Sequence, residues 1–172
     1  MSIIAAYHEA GHVVLAVASK YYSLKCGAHE FVAIGAYGSG DVAIRLNSEK
    51  CRRNQKEPID TDPDIAREAA VIMVGGYVAE QILFEAKERD MQFTPSEECS
   101  RPDLNMARDA LGEAGIVDIN WEEYKGIARL QLDRYWENVR SLAERLLSEP
   151  NQRLESYDAE VMVEEQLGLG PA

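Results

Sequence analysis

Basic side chains are scarce in this chain: 18 Lys and Arg stand against 30 Asp and Glu, a formal net charge of −12. A nucleic-acid partner is not expected, because phosphates call for a basic surface. Nor is an anionic membrane surface. Cysteine is sparse too. Cys26, Cys51 and Cys99 are odd in number and far apart, with no Cys-x-x-Cys pair. Neither a disulfide framework nor a cysteine metal site is expected, and a reducing cytoplasm is the natural compartment. No run of 18 apolar residues occurs, and no basic segment followed by an apolar one opens the chain. A membrane-spanning helix and a secretory signal are therefore not expected. Histidine is as rare as cysteine, with three copies.

What remains is an ordinary globular balance, 46% hydrophobic and 28% charged over 172 residues. That length suits one domain, residues 1–172, with a sizeable core. Two of the three histidines fall four residues apart, in Tyr7-His8-Glu9-Ala10-Gly11-His12. The surrounding stretch, residues 3–19, is rich in Ala, Val, Ile and Leu and reads as a buried helix. On a helix, positions i and i+4 share one face. Two imidazoles can then meet one zinc ion while the intervening glutamate reaches a water bound to it.

Further along, residues 21–29 read as irregular. Residues 30–34 and 41–46 read as two short strands joined by a glycine-rich turn over 35–40. No Lys-Ser or Lys-Thr follows that turn, which argues against a phosphate loop. Residues 48–57, with Lys50, Arg52, Arg53 and Lys56, read as a solvated loop. Asp62-Pro63-Asp64 is a strong helix start. The helix is expected to run to about residue 85, apolar almost all round, as a central core helix. Gly75-Gly76 inside it costs on the order of 1 kcal/mol per residue relative to Ala. Close approach of the motif helix at Ala10 and Gly11 would compensate. A loop over 88–101 leads to a helix over 102–114. A long amphipathic stretch over 121–148, which Gly126 would bend, precedes a last helix over 156–167 that Gly168 stops.

Two histidines do not complete a catalytic zinc site, which usually has three protein ligands and an open position. The metzincin extension requires Gly at 15 and His at 18, and this chain has Leu15 and Ala18. Three residues compete for the third position. His29 precedes a strand and reads better as a surface histidine. Glu80 sits on the apolar helix, where a carboxylate needs a partner, as a ligand or behind one. Asp103 sits at a helix start, where it also complements the helix dipole. Spacing alone does not separate Glu80 from Asp103.

Taken together, these motifs resemble the peptidase domain of the FtsH-type ATP-dependent zinc metalloproteases. The resemblance rests first on Ala6-Tyr7-His8-Glu9-Ala10-Gly11-His12. It continues in Gly75-Gly76-Tyr77-Val78-Ala79-Glu80, similar to that family's Gly-Gly-Arg-x-Ala-Glu helix, and in Asp103-Leu104-Asn105-Met106-Ala107, similar to its Asp-Leu-x-x-Ala. Tyr77 departs from the family's usual Arg. So does the longer segment leading to Asp103. The resemblance implies a mainly α fold, a zincin-like domain with a small β-hairpin or sheet. It implies His8, His12 and Asp103 as zinc ligands, Glu9 as the catalytic glutamate, and Glu80 as a supporting carboxylate.

The expected activity is zinc-dependent hydrolysis of peptide bonds in flexible or unfolded polypeptides. In that family an ATPase module unfolds and feeds the substrate, and these 172 residues hold none. A separate ATPase or a homo-oligomer is the partner the resemblance implies, besides the polypeptide substrate. Two other readings compete: a non-catalytic, zinc-stabilised module binding peptides or a partner, and a metal hydrolase acting on a non-peptide amide.

Overall fold

A computed structural model describes residues 2–35, 40–86 and 92–169. The expected glycine-rich turn falls largely on 36–39, and part of the expected loop over 88–101 falls on 87–91; both lie outside the described residues. The fold is mainly helical. In chain order it comprises α1 (Ser2–Ala18), β1 (Tyr22–Leu24), β2 (Phe31–Ile34), β3 (Gly40–Asp41), β4 (Ile44–Leu46), α2 (Ser48–Arg53), α3 (Pro63–Ala86), α4 (Arg101–Glu113), α5 (Trp121–Arg134), α6 (Trp136–Ser148), β5 (Arg153–Glu155) and α7 (Ser156–Leu167).

α1 forms the hub. Its Ala5, Ala6, Tyr7, Ala10, Val13, Val14, Leu15, Ala16 and Val17 are all buried, so most of its circumference is apolar and packed against neighbours. α3 crosses it, with α6, α5 and α7 also against it and α4 and α5 covering α3. The α1–α3 crossing depends on small residues. A Cβ added at Gly11 would come within 2.8 Å of the Ala79 Cβ and of the Gly75 carbonyl oxygen, the close approach expected for Gly11 and Gly75. α3 begins as its sequence suggests: Asp62 Oδ1 accepts from the Asp64 and Ile65 amides at 2.9 and 3.3 Å.

α3 bears on the expectation that no helix spans a membrane. Its 24 residues are long and apolar enough to cross a membrane by length and composition alone. Yet 67% of its apolar window is buried inside the protein, and the same helix carries the buried Glu80, as a core helix would.

The β structure differs from a single hairpin. β2 pairs antiparallel with β3 through Ala33↔Asp41 and Ile34↔Gly40, and on its other edge with β5. The expected strand over 41–46 is interrupted at Val42 and Ala43. Its second half, β4, turns away to pair with β1 through Tyr22↔Leu46 and Leu24↔Ile44. Residues 22–24, expected to be irregular, are a fully buried strand. Three residues are too few to show a period-two pattern, so β1 was invisible to alternation.

The expected solvated loop at 48–57 also differs. Asn47 Oδ1 caps a short helix there by accepting from the Glu49 and Lys50 amides at 3.0 Å. The Lys50 ammonium turns inward and donates to the Val17 and Tyr22 carbonyls at 2.8 and 2.6 Å. It thereby satisfies a carbonyl at the end of α1, where a cation complements the helix dipole. The stretch 121–148 breaks at Tyr135 and not at Gly126, which lies inside α5. A Cβ at Gly126 would meet nothing within 4 Å, so no packing forces a bend there. The break at Tyr135 turns α6 onto α1 and sets Trp136 against Tyr7, ring centroids 5.6 Å apart.

Candidate metal centre

The helical spacing of His8 and His12 sets both imidazoles on the face of α1 that meets α3. Each ring is oriented by a hydrogen bond at Nδ1. His8 Nδ1–H donates to Glu80 Oε1 at 2.7 Å, and His12 Nδ1–H donates to the Ile72 carbonyl at 2.7 Å. Both acceptors belong to α3. With the protons held at Nδ1, the two Nε2 atoms face each other at 3.1 Å. α4 supplies the third atom: Asp103 Oδ2 lies 3.1 Å from His8 Nε2 and 3.5 Å from His12 Nε2. Three electron-rich atoms thus surround one point, and His8, His12 and Asp103 form a group that could hold a metal ion.

The backbone leaves room for that ion. A Cβ built at Gly76 would overlap His8 Nε2 and lie 2.6 Å from His12 Nε2. A side chain at 76 would therefore fill the space between the imidazoles. The two glycines of α3 divide the work: Gly75 faces α1, with Leu15 against it, and Gly76 faces the histidines. The sequence showed the conformational cost of both glycines but attributed it to helix crossing alone.

Electrostatics without an ion reflect the same crowding. Burial pulls the His8 pKa down, but hydrogen bonds to Asp103 and Glu80 outweigh it and hold it up to about 10. Burial pushes the Asp103 carboxyl up, and its bonds to His12 and His8 bring it well below the usual carboxylate range. A metal binding between these groups would compete with a proton on His8.

Glu9, next to His8 on α1, is 4% exposed. Burial raises its pKa, with the Asp103 and Asp41 carboxylates adding to the rise and the two histidines opposing it. The centre opens into a cavity of about 850 Å³ whose wall includes His8, Glu9, His12, Glu80 and Asp103. Ile4, Val42, Ile44, Met73, Phe93 and Met106 give it apolar sides. His29, the remaining histidine, is exposed in the turn before β2 with φ 71° and does not join the group. Glu80 meets the outer nitrogen of His8, whereas Asp103 meets the inner one.

Comparison with protein-family models, with curated proteins and with solved structures finds no match. Functional inference for this chain rests on the motif and on the geometry around it.

Proposed function

We propose that this chain is a zinc-dependent endopeptidase resembling the FtsH peptidase domain, with His8, His12 and Asp103 holding zinc and Glu9 serving as general base and acid. The observation that carries the reading is the triangle of His8 Nε2, His12 Nε2 and Asp103 Oδ2, with edges of 3.1, 3.1 and 3.5 Å. Zinc–ligand bonds of about 2.0–2.1 Å in tetrahedral geometry give edges of about 3.3–3.4 Å. Two imidazoles and one carboxylate are a donor set that suits zinc. Three protein ligands leave a fourth position for water.

Zinc bound there would supply a coordinated water with a pKa near about 7 and would polarise a scissile carbonyl. The protein's own groups supply the rest. Glu80 and the Ile72 carbonyl fix the two histidine rings with Nε2 turned inward. Glu9 takes the water proton and returns it to the leaving amine. Its burial and its acidic neighbours raise its pKa, which makes the ionised carboxylate a stronger proton acceptor. β3 is the outer strand of its sheet, and residues 40–44 line the cavity. An extended polypeptide adding to that edge would bring a backbone carbonyl past the centre. Free thiols at Cys26 and Cys51 suit a reducing compartment.

The Glu9→Gln variant tests the reading. It is expected to bind zinc as the wild type does and to lose hydrolysis of an unfolded polypeptide such as casein by at least about 100-fold. Chelation is expected to stop the wild type and added zinc to restore it. Zinc binding without any cleavage by the wild type would favour the non-catalytic module.

A further inference from the structure

We infer that Gly40 is a positioning residue for Glu9: the bare α-carbon of the edge strand leaves the room that the glutamate arm occupies. This inference rests on the peptidase reading for its kinetic consequence, though not for its geometry. A Cβ built at Gly40 would overlap Oε1, Cδ and Cγ of Glu9. The overlap therefore involves the whole arm and not only its tip. Relief requires a rotation about the Glu9 side-chain bonds near the backbone, which carries the carboxylate away from its place beside His8 and His12. Glu9 is 4% exposed to solvent but lines the cavity, which is the space open to a displaced arm.

The strand is fixed as well. Gly40 is held opposite Ile34, and its neighbour Asp41 opposite Ala33, in the antiparallel ladder with β2. β3 cannot retreat from Glu9 without giving up that pairing. The need for glycine here is close approach.

The contact has a functional corollary. Among the described residues, Gly40 belongs to the outer strand of its sheet and to the cavity wall, the edge to which we propose an incoming polypeptide adds. One residue therefore touches the proposed proton carrier and belongs to the strand on which the substrate would lie. The spacing between the substrate backbone and the Glu9 carboxylate is then set by a contact within the protein, before any substrate arrives.

The test is Gly40→Ala in the full chain, loaded with zinc and assayed on an unstructured peptide. kcat is expected to fall on the order of 100-fold, the lower end of what a general base contributes. KM is expected to stay within about twofold, and zinc affinity likewise, because no ligand atom is displaced. A Gly40→Ala/Glu9→Gln double variant is expected to be no slower than Glu9→Gln alone, since Gly40 acts through Glu9. Wild-type kcat in Gly40→Ala, or losses that multiply in the double variant, would overturn the inference. If the wild type proves not to hydrolyse peptides, the peptidase reading fails, and a crystal structure of Gly40→Ala decides the positioning on its own. A Glu9 carboxylate displaced from its wild-type place supports it, and an unmoved one refutes it.

Discussion

Asp103 and Glu80 are two carboxylates on the same histidine with opposite consequences. Asp103 faces the inner nitrogens of both rings, whereas Glu80 orients His8 from behind. Asp103→Ala is therefore expected to abolish stoichiometric zinc binding. Glu80→Ala is expected to weaken it about 10–100-fold, as loss of an outer partner usually does. Calorimetric titration with zinc distinguishes them, and equal losses would show that the roles are wrongly divided. A second residue-scale prediction concerns the thiols. Burial, with the hydrogen bond from Cys26 Sγ–H to Glu160 Oε2 at 2.9 Å, pushes the Cys26 pKa up to about 12. The thiolate is the reactive form, so alkylation of Cys26 is slow at pH 8 and accelerates as pH rises towards that value. Unfolding removes both causes, and Cys26 is then expected to react at the rate of an ordinary thiol. Mass spectrometry after timed iodoacetamide treatment, native and in denaturant, measures the difference.

At the scale of elements, the glycines make opposite predictions because their surroundings differ. A Cβ added at Gly11 would lie 2.8 Å from the Ala79 Cβ and from the Gly75 carbonyl oxygen, and neither can rotate aside. Gly11→Ala is expected to destabilise the fold by about 1–3 kcal/mol through overpacking. Gly126 lies inside α5 with nothing within 4 Å of an added Cβ. Gly126→Ala is expected to stabilise by about 0.5–1 kcal/mol, through helix propensity and the lower freedom of the unfolded chain. Urea denaturation of the two variants beside the wild type measures both signs. Destabilisation by Gly126→Ala would mean that α5 is covered on that face. The same local logic explains what the sequence showed of these elements. Asp62-Pro63 marks the start of α3 and Gly168, in the left-handed conformation at φ 69°, the end of α7. Both signals act within one turn of chain. The break at Tyr135 carries no such signal: it exists because α6 must lie on α1, a requirement set far along the chain.

For the molecule as a whole, the candidate metal centre joins three helices. His8 and His12 come from α1, Asp103 from α4, and the groups orienting the rings from α3. A metal bound there stabilises the folded chain by linkage, about 4 kcal/mol when free metal exceeds its Kd a thousandfold. For a chain of this size that raises Tm on the order of 10 °C. Calorimetry with zinc and with chelator checks this, and coincident transitions would count against a metal site. By itself the sequence determined whatever one helix can decide. A rise of 1.5 Å and a turn of 3.6 residues put His8 and His12 on one face, and an apolar stretch with a capped start makes α3 a buried helix. The tertiary structure alone decided which carboxylate completes the group, because Asp103 lies 95 residues from His8 and reaches it only when α4 packs on α3. It likewise decided that Gly76 leaves the space between the two imidazoles and that Gly40 is the neighbour of Glu9. Both roles consist of space left between segments distant in the chain, and no periodicity along the sequence records that space.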